Sequence, residues 1–114
     1  MTEHIIYVHD PKAMKAYYTD KLGFTLLAER EGPRYVLGFE NTPIRIVLAS
    51  RHLATDPKQA NEMPTLLLKV KDIHKVYNTM RDRGVVVSDL FELGDMKTFN
   101  FADGENHYMA CWQR

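Results

Sequence analysis

The chain has 114 residues, 45% of them hydrophobic, and its 15 basic and 15 acidic side chains cancel. That length suits one compact domain, and balanced charge without a long run of either sign excludes an electrostatic footprint for nucleic acid or anionic membrane. Cys111 is the single cysteine, which excludes an intrachain disulfide and a Cys-rich zinc site and fits a reducing compartment.

The segment "EHIIYVHD", Glu3 to Asp10, reads as a first strand that carries Glu3, His4 and His9 and runs into Asp10. No basic-plus-apolar leader precedes it, and no apolar stretch is long enough to span a bilayer, so a soluble, cytoplasmic protein is expected. Asp10-Pro11 then opens a helix over "KAMKAYYTDKLG": Asp10 suits the N-cap, Pro11 the first helical position and Gly23 the stop. Met14, Tyr17 and Tyr18 mark its buried stripe. Strands are expected at "FTLLAER", "YVLGFE" and "IRIVLAS", separated by turns at "EGPR" and "NTP".

"RHLATDPKQANEM", Arg51 to Met63, lacks strand alternation and reads as a connector or lid. Beyond it the design repeats. Asp72 caps a helix over "IHKVYNTMRDRG", with Ile73, Val76, Tyr77 and Met80 at helical spacing and Gly84 as stop. Strands follow at "VVVSDLFE", "MKTFNFA" and "HYMACWQ", with turns at "LGD" and "DGEN". Both helices begin after a Val-x-Asp, and Val8 and Val70 stand sixty-two positions apart. The chain therefore reads as two copies of one β-α-β-β-β unit, the first over residues 1–50 and the second over 64–114, within a single domain of 1–114.

"VHDPKAMKAYYTDKLGF" and "FNFADGENHYMACW" resemble the opening and closing patterns of the vicinal oxygen chelate superfamily, which includes glyoxalases, bleomycin resistance proteins and extradiol dioxygenases. The resemblance covers almost the whole chain. It implies an α+β fold of two βαβββ units forming a curved mixed sheet with helices on the outside. It also implies a homodimer, and a divalent metal held by four ligands, one from the first and one from the last strand of each unit. Such a metal polarises vicinal oxygens of a substrate and keeps open positions for it.

Carried onto this chain, the four ligand positions fall on Glu3, Val47, Thr65 and Ala110, a set that cannot hold a metal. Sliding by two residues along the cleft face offers Arg45 or Ala49, Leu67, and Tyr108 or Trp112, none of which repairs it. Sliding the first strand by one brings in His4 without partners. His4 is then a strand histidine facing the helix layer or a subunit interface. His9 and His107 are expected in turns, His52 on the connector and His74 on the exposed helix surface.

The same alternation gives a cleft of Glu3, Ile5, Tyr7, Arg45, Val47, Thr65, Leu67, Tyr108, Ala110 and Trp112. An apolar and aromatic lining with a few placed polar groups suits a small organic molecule. Glu3 and Arg45 are the candidate polar anchors, and Tyr7, Tyr108 and Trp112 the stacking surfaces. Alternatively, the aromatic residues are core and Glu3 pairs with Arg45 across neighbouring strands. Cys111, turned away from that face, reads as a buried thiol. The expected function is thus a glyoxalase-like or bleomycin-resistance-like protein binding a small molecule without a metal. The alternatives are a divergent metal-dependent lyase or dioxygenase using Glu3 or His4, and an interaction module whose cleft is filled by its own side chains.

Overall fold

The computed structural model describes residues 2–40, 42–56, 58 and 66–114. Two compact units divide the chain, Met1–Pro64 and Thr65–Arg114.

In the first unit, strand β1 (Thr2–Val8) leads to helix α1 (Pro11–Asp20), then to β2 (Phe24–Arg30), β3 (Arg34–Phe39) and β4 (Ile44–Ser50). The sheet order is β1-β4-β3-β2, with β1 parallel to β4 and the other pairs antiparallel. A parallel pair needs a crossover, which α1 and the two intervening strands supply. The Asp10 side chain accepts a hydrogen bond from Ala13 N at 3.1 Å, satisfying one of the donors a helix start leaves open. Gly23, at φ +81°, takes the left-handed conformation that ends the helix without a Cβ penalty.

Alternation along β1 sends Ile6 and Val8, both fully buried, to the side covered by α1. Tyr18 from α1 packs edge-on against Phe24, with centroids 5.1 Å apart, and Phe24 in turn meets Phe39. Met14 and Tyr18 carry the buried stripe, whereas Tyr17 is half-buried. Burying each such side chain stabilises the unit by roughly 1.5–3 kcal/mol.

The second unit repeats the order: β5 (Leu67–Lys69), α2 (Ile73–Asp82), β6 (Phe91–Leu93), β7 (Met96–Ala102) and β8 (Tyr108–Gln113). Its sheet runs β5-β8-β7-β6, again with the first pair parallel. Asp72 caps α2 by accepting from Lys75 N at 3.1 Å, and Gln113 Oε1 accepts from Ile73 N at 2.7 Å. The helix closes with Val85 N donating to Met80 O at 3.0 Å around Gly84, whose φ is +81°. Ile73 and Met80 are buried, and Tyr77 meets Phe99 edge-on. Cys111 is fully buried on this helix-facing side.

The strand expected at "VVVSDLFE" is much shorter. Only Phe91–Leu93 is regular, and Val87 forms an isolated bridge to Phe101. Ser88 explains the break: its Oγ accepts from Asn100 N at 2.9 Å while its own N–H donates to Asn100 O. A side chain thus replaces a backbone acceptor in the ladder.

After β4, residues Arg51–Leu53 form one 3-10 turn. The rest of the expected connector, from Pro57 on, lies outside the described residues except for Lys58.

Candidate functional site

Each sheet has one face covered by its helix and one opposite it. In the first unit the opposite face is set by register: Glu3 stands beside Arg45 and then Gly38, Ile5 beside Val47 and then Val36, Tyr7 beside Ala49 and then Arg34. Three rungs result, an apolar one between two that carry charge. His4, Ile6 and Val8 take the other parity, so His4 lies on the α1 side.

Arg30 joins the opposite face because of an irregularity. Regular alternation from the buried Phe24 would send Leu26, Ala28 and Arg30 to the helix side. The register shifts between Leu26 and Ala28, so Ala28 pairs with Val36 and Arg30 with Arg34. One extra residue, Leu27, turns the end of β2 over and bends it. Leu27 leans across Gly38, where an added Cβ would meet its Cδ1 at 2.9 Å and Arg45 Nη1 at 3.4 Å.

The pairing of Glu3 with Arg45, one of the two alternatives the sequence leaves open, is not what forms. The Glu3 carboxylate is held bidentately by Arg30, with Nη1 to Oε1 at 3.0 Å and Nη2 to Oε2 at 2.8 Å. Arg45 Nη1 instead donates to the carbonyls of Thr42 and Ile44, at 3.2 and 3.0 Å. Glu3 and Arg30 sit on opposite edge strands, roughly 14 Å apart across a flat sheet, and their rungs differ by a further four residues, roughly 13 Å along the strands. A direct bond between them requires the sheet to curl toward this face. The pair therefore passes over the apolar rung, where Val36 and Val47 are only 5% and 2% exposed. Arg30 holds the Glu3 carboxyl below its ordinary value through its hydrogen bonds and, more weakly, its charge, while limited burial opposes the shift.

In the second unit the face opposite α2 carries Leu67 and Lys69 from β5, Tyr108, Ala110 and Trp112 from β8, and Thr98 and Asn100 from β7. Lys69 Nζ lies 5.2 Å from the Trp112 ring centroid, a cation–π distance. Leu67 and Tyr108 are 57% and 61% exposed, and Phe91 and Leu93 extend the apolar surface along β6. Thr65 lies outside the described residues.

The turn before β8 is organised by a buried carboxylate. Asp103 Oδ1 accepts from Glu105 N and His107 N, at 2.8 and 2.9 Å, and Oδ2 lies 2.8 Å from His107 Nδ1. Asn106 adopts φ +64° in the same turn. Of the other histidines, His9, His52 and His74 are exposed, and His74 Nε2 lies 3.3 Å from Lys97 Nζ.

The family's ligand positions can be checked against these side chains. Of the three described, Glu3 offers a carboxylate already engaged by Arg30, and Val47 and Ala110 offer no donor. No group of three or more His, Cys, Asp or Glu side chains suited to a metal occurs among the described residues. Those positions do not fit a divalent metal centre of the family's kind.

Among the face residues, Lys69 was reachable from the sequence, since it follows Leu67 by two. Arg30 was not, because the bulge at Leu27 reverses its parity.

Two βαβββ units, each with one helix and one four-stranded mixed sheet, define the glyoxalase-like class of folds. The chain belongs to the Glyoxalase/Bleomycin resistance protein/Dioxygenase superfamily, whose model matches residues 2–107. It is similar in structure to TnmS3, an antibiotic binding protein from Streptomyces sp. CB03234, with 21% identity, 97% of this chain and 92% of that chain covered, and a TM-score of 0.83. A glyoxalase/bleomycin resistance protein from the same Streptomyces strain gives 20% identity, 96% coverage of each chain and a TM-score of 0.83. A superfamily member from Sphaerobacter thermophilus DSM 20745 gives 15% identity, coverage of 100% and 96%, and a TM-score of 0.84. At such identities the likeness establishes the fold. No curated protein matches the chain. Among the described residues no helix is long and apolar enough to cross a membrane.

Proposed function

We propose that this protein binds a small, partly aromatic organic molecule on the sheet faces opposite its helices, using its own side chains rather than the superfamily's divalent metal. The observation that carries the reading is the composition of those faces. They place exposed apolar and aromatic groups, Ile5, Leu27, Leu67 and Tyr108, among a few fixed polar ones, Arg45, Thr98 and Lys69. Ligand sites have that composition.

Sequestration needs no reacting group, so aliphatic side chains at Val47 and Ala110 are no obstacle to it. A fold neighbour described as an antibiotic binding protein makes a bulky organic ligand a natural first class to test. Arg45 serves as a polar anchor, with Tyr7, Tyr108 and Trp112 as stacking surfaces, while the Glu3 carboxylate is already engaged by Arg30. The protein acts in the cytoplasm as a homodimer, the latter tested by sizing chromatography with light scattering.

The binding reading is tested by amide and side-chain NMR on the full-length protein, titrated with a chemically mixed compound panel. Saturable shifts concentrated on the helix-opposite faces, among Glu3–Tyr7, Leu27–Arg30, Arg34–Gly38, Arg45–Ala49, Leu67–Lys69, Thr98 and Tyr108–Trp112, are expected. Shifts on the helix surfaces alone, or none for any compound, would overturn it.

A further inference from the structure

We propose that the Glu3 carboxylate is a built-in stand-in for a ligand carboxylate, and that the first unit's open face takes a planar aromatic acid which displaces Glu3 from Arg30. This rests on the ligand-binding reading above and narrows it to a chemical class.

Charge is the first support. Among the described strand residues, this face carries three guanidinium groups, Arg30, Arg34 and Arg45, against the single carboxylate of Glu3. Arg34 and Arg45 donate to neutral carbonyl oxygens, of Glu31 and of Thr42 and Ile44. Positive charge is therefore in surplus, and a neutral or cationic ligand would leave it so. A carboxylate matches it.

Geometry is the second. Arg30 holds Glu3 through both terminal guanidinium nitrogens, Nη1 and Nη2, the fork arrangement that any free carboxylate reproduces. The bond is made from opposite edges of the sheet, across the floor formed by Ile5, Val47 and Val36. Displacing Glu3 uncovers the two valines beside the already exposed Ile5 at the same moment as it frees the fork. A rigid aromatic acid satisfies both groups together, its ring on the valines and its carboxylate on Arg30. Glu3 and Arg30 side chains remain 39% and 49% exposed, so the released Glu3 carboxylate rehydrates readily and the exchange faces little resistance.

The test is isothermal titration of full-length protein with 2-naphthoate and its neutral counterpart 2-naphthamide. Naphthoate is expected to bind roughly tenfold more tightly or better. Removing the internal competitor by Glu3→Gln should tighten naphthoate binding roughly fivefold, and clearly more than it tightens naphthamide. Arg30→Gln should reduce naphthoate to the level of naphthamide, and Arg30→Lys, which keeps the charge but loses the fork, should restore the preference only in part. Cooperative thermal melts identify these variants as folded. Equal affinity for the two compounds, or a Glu3→Gln variant that binds naphthoate no better than wild type, overturns the inference. Tight naphthamide binding without a naphthoate preference does so while leaving the broader ligand-binding reading intact. Binding of neither overturns the inference, with the broader reading judged separately by the mixed panel.

Discussion

The ammonium of Lys69 stands 5.2 Å from the centre of the Trp112 ring, the two residues being register partners on β5 and β8. Lysine thus covers part of the aromatic surface that a stacking ligand would use. Replacing it by methionine keeps the aliphatic stem and removes the charge. Lys69→Met should lower stability by less than about 1 kcal/mol and shift Trp112 emission, both measured in one urea titration followed by fluorescence.

Asp103, itself buried, gathers three acceptor contacts within its turn, two from backbone N–H groups and one from His107. Removing it leaves those donors without their partner and releases Asn106 from a turn that holds it at positive φ. Asp103→Ala should cost about 2–4 kcal/mol, read from chemical denaturation.

The two helix caps act alike because they are built alike. Asp10 and Asp72 each accept from the backbone N–H three residues on, at 3.1 Å. Asp10→Ala and Asp72→Ala should each destabilise by about 1 kcal/mol, whereas Asp10→Asn and Asp72→Asn should retain most of the wild-type stability, by the same denaturation assay.

The Glu3–Arg30 pair gives a pH signature of fixed sign. Glu3 titrates below its ordinary 4.5 in the folded protein, chiefly because Arg30 hydrogen-bonds the ionised form. The unfolded chain therefore takes up a proton first as pH falls. The pair's contribution is present above about pH 4.5 and is lost as pH drops through the lower folded value. Arg30 is shifted upward, so it stays charged throughout this range. The stability difference between wild type and Glu3→Gln should be flat at neutral pH and vanish in acid, and a difference that instead grew on acidification would contradict the pairing.

Much of the fold is legible in the sequence because its signals are local. Asp10-Pro11 and Asp72 mark helix starts, Gly23 and Gly84 mark ends, and turn residues bound "FTLLAER" and "IRIVLAS", which form β2 and β4 as written. The strand at "VVVSDLFE" is misread because alternation cannot show that Ser88 will use its hydroxyl in the ladder. The candidate site was less open to reading. Simple parity places Glu3 beside Arg45, and the register agrees. Which cation captures the carboxylate depends on sheet curl and on the bulge at Leu27, and both arise from pairing between strands distant in sequence.

Trp112 is the single tryptophan of the chain, and it lies on one of the proposed faces, so its emission tests metal-free binding directly. The measurement is a fluorescence titration of EDTA-treated protein with a panel of planar aromatic compounds. Saturable quenching by at least one compound, unchanged when Zn²⁺, Ni²⁺ or Fe²⁺ is restored, is the expected result. Emission that ignores every compound until a divalent metal is added would contradict it.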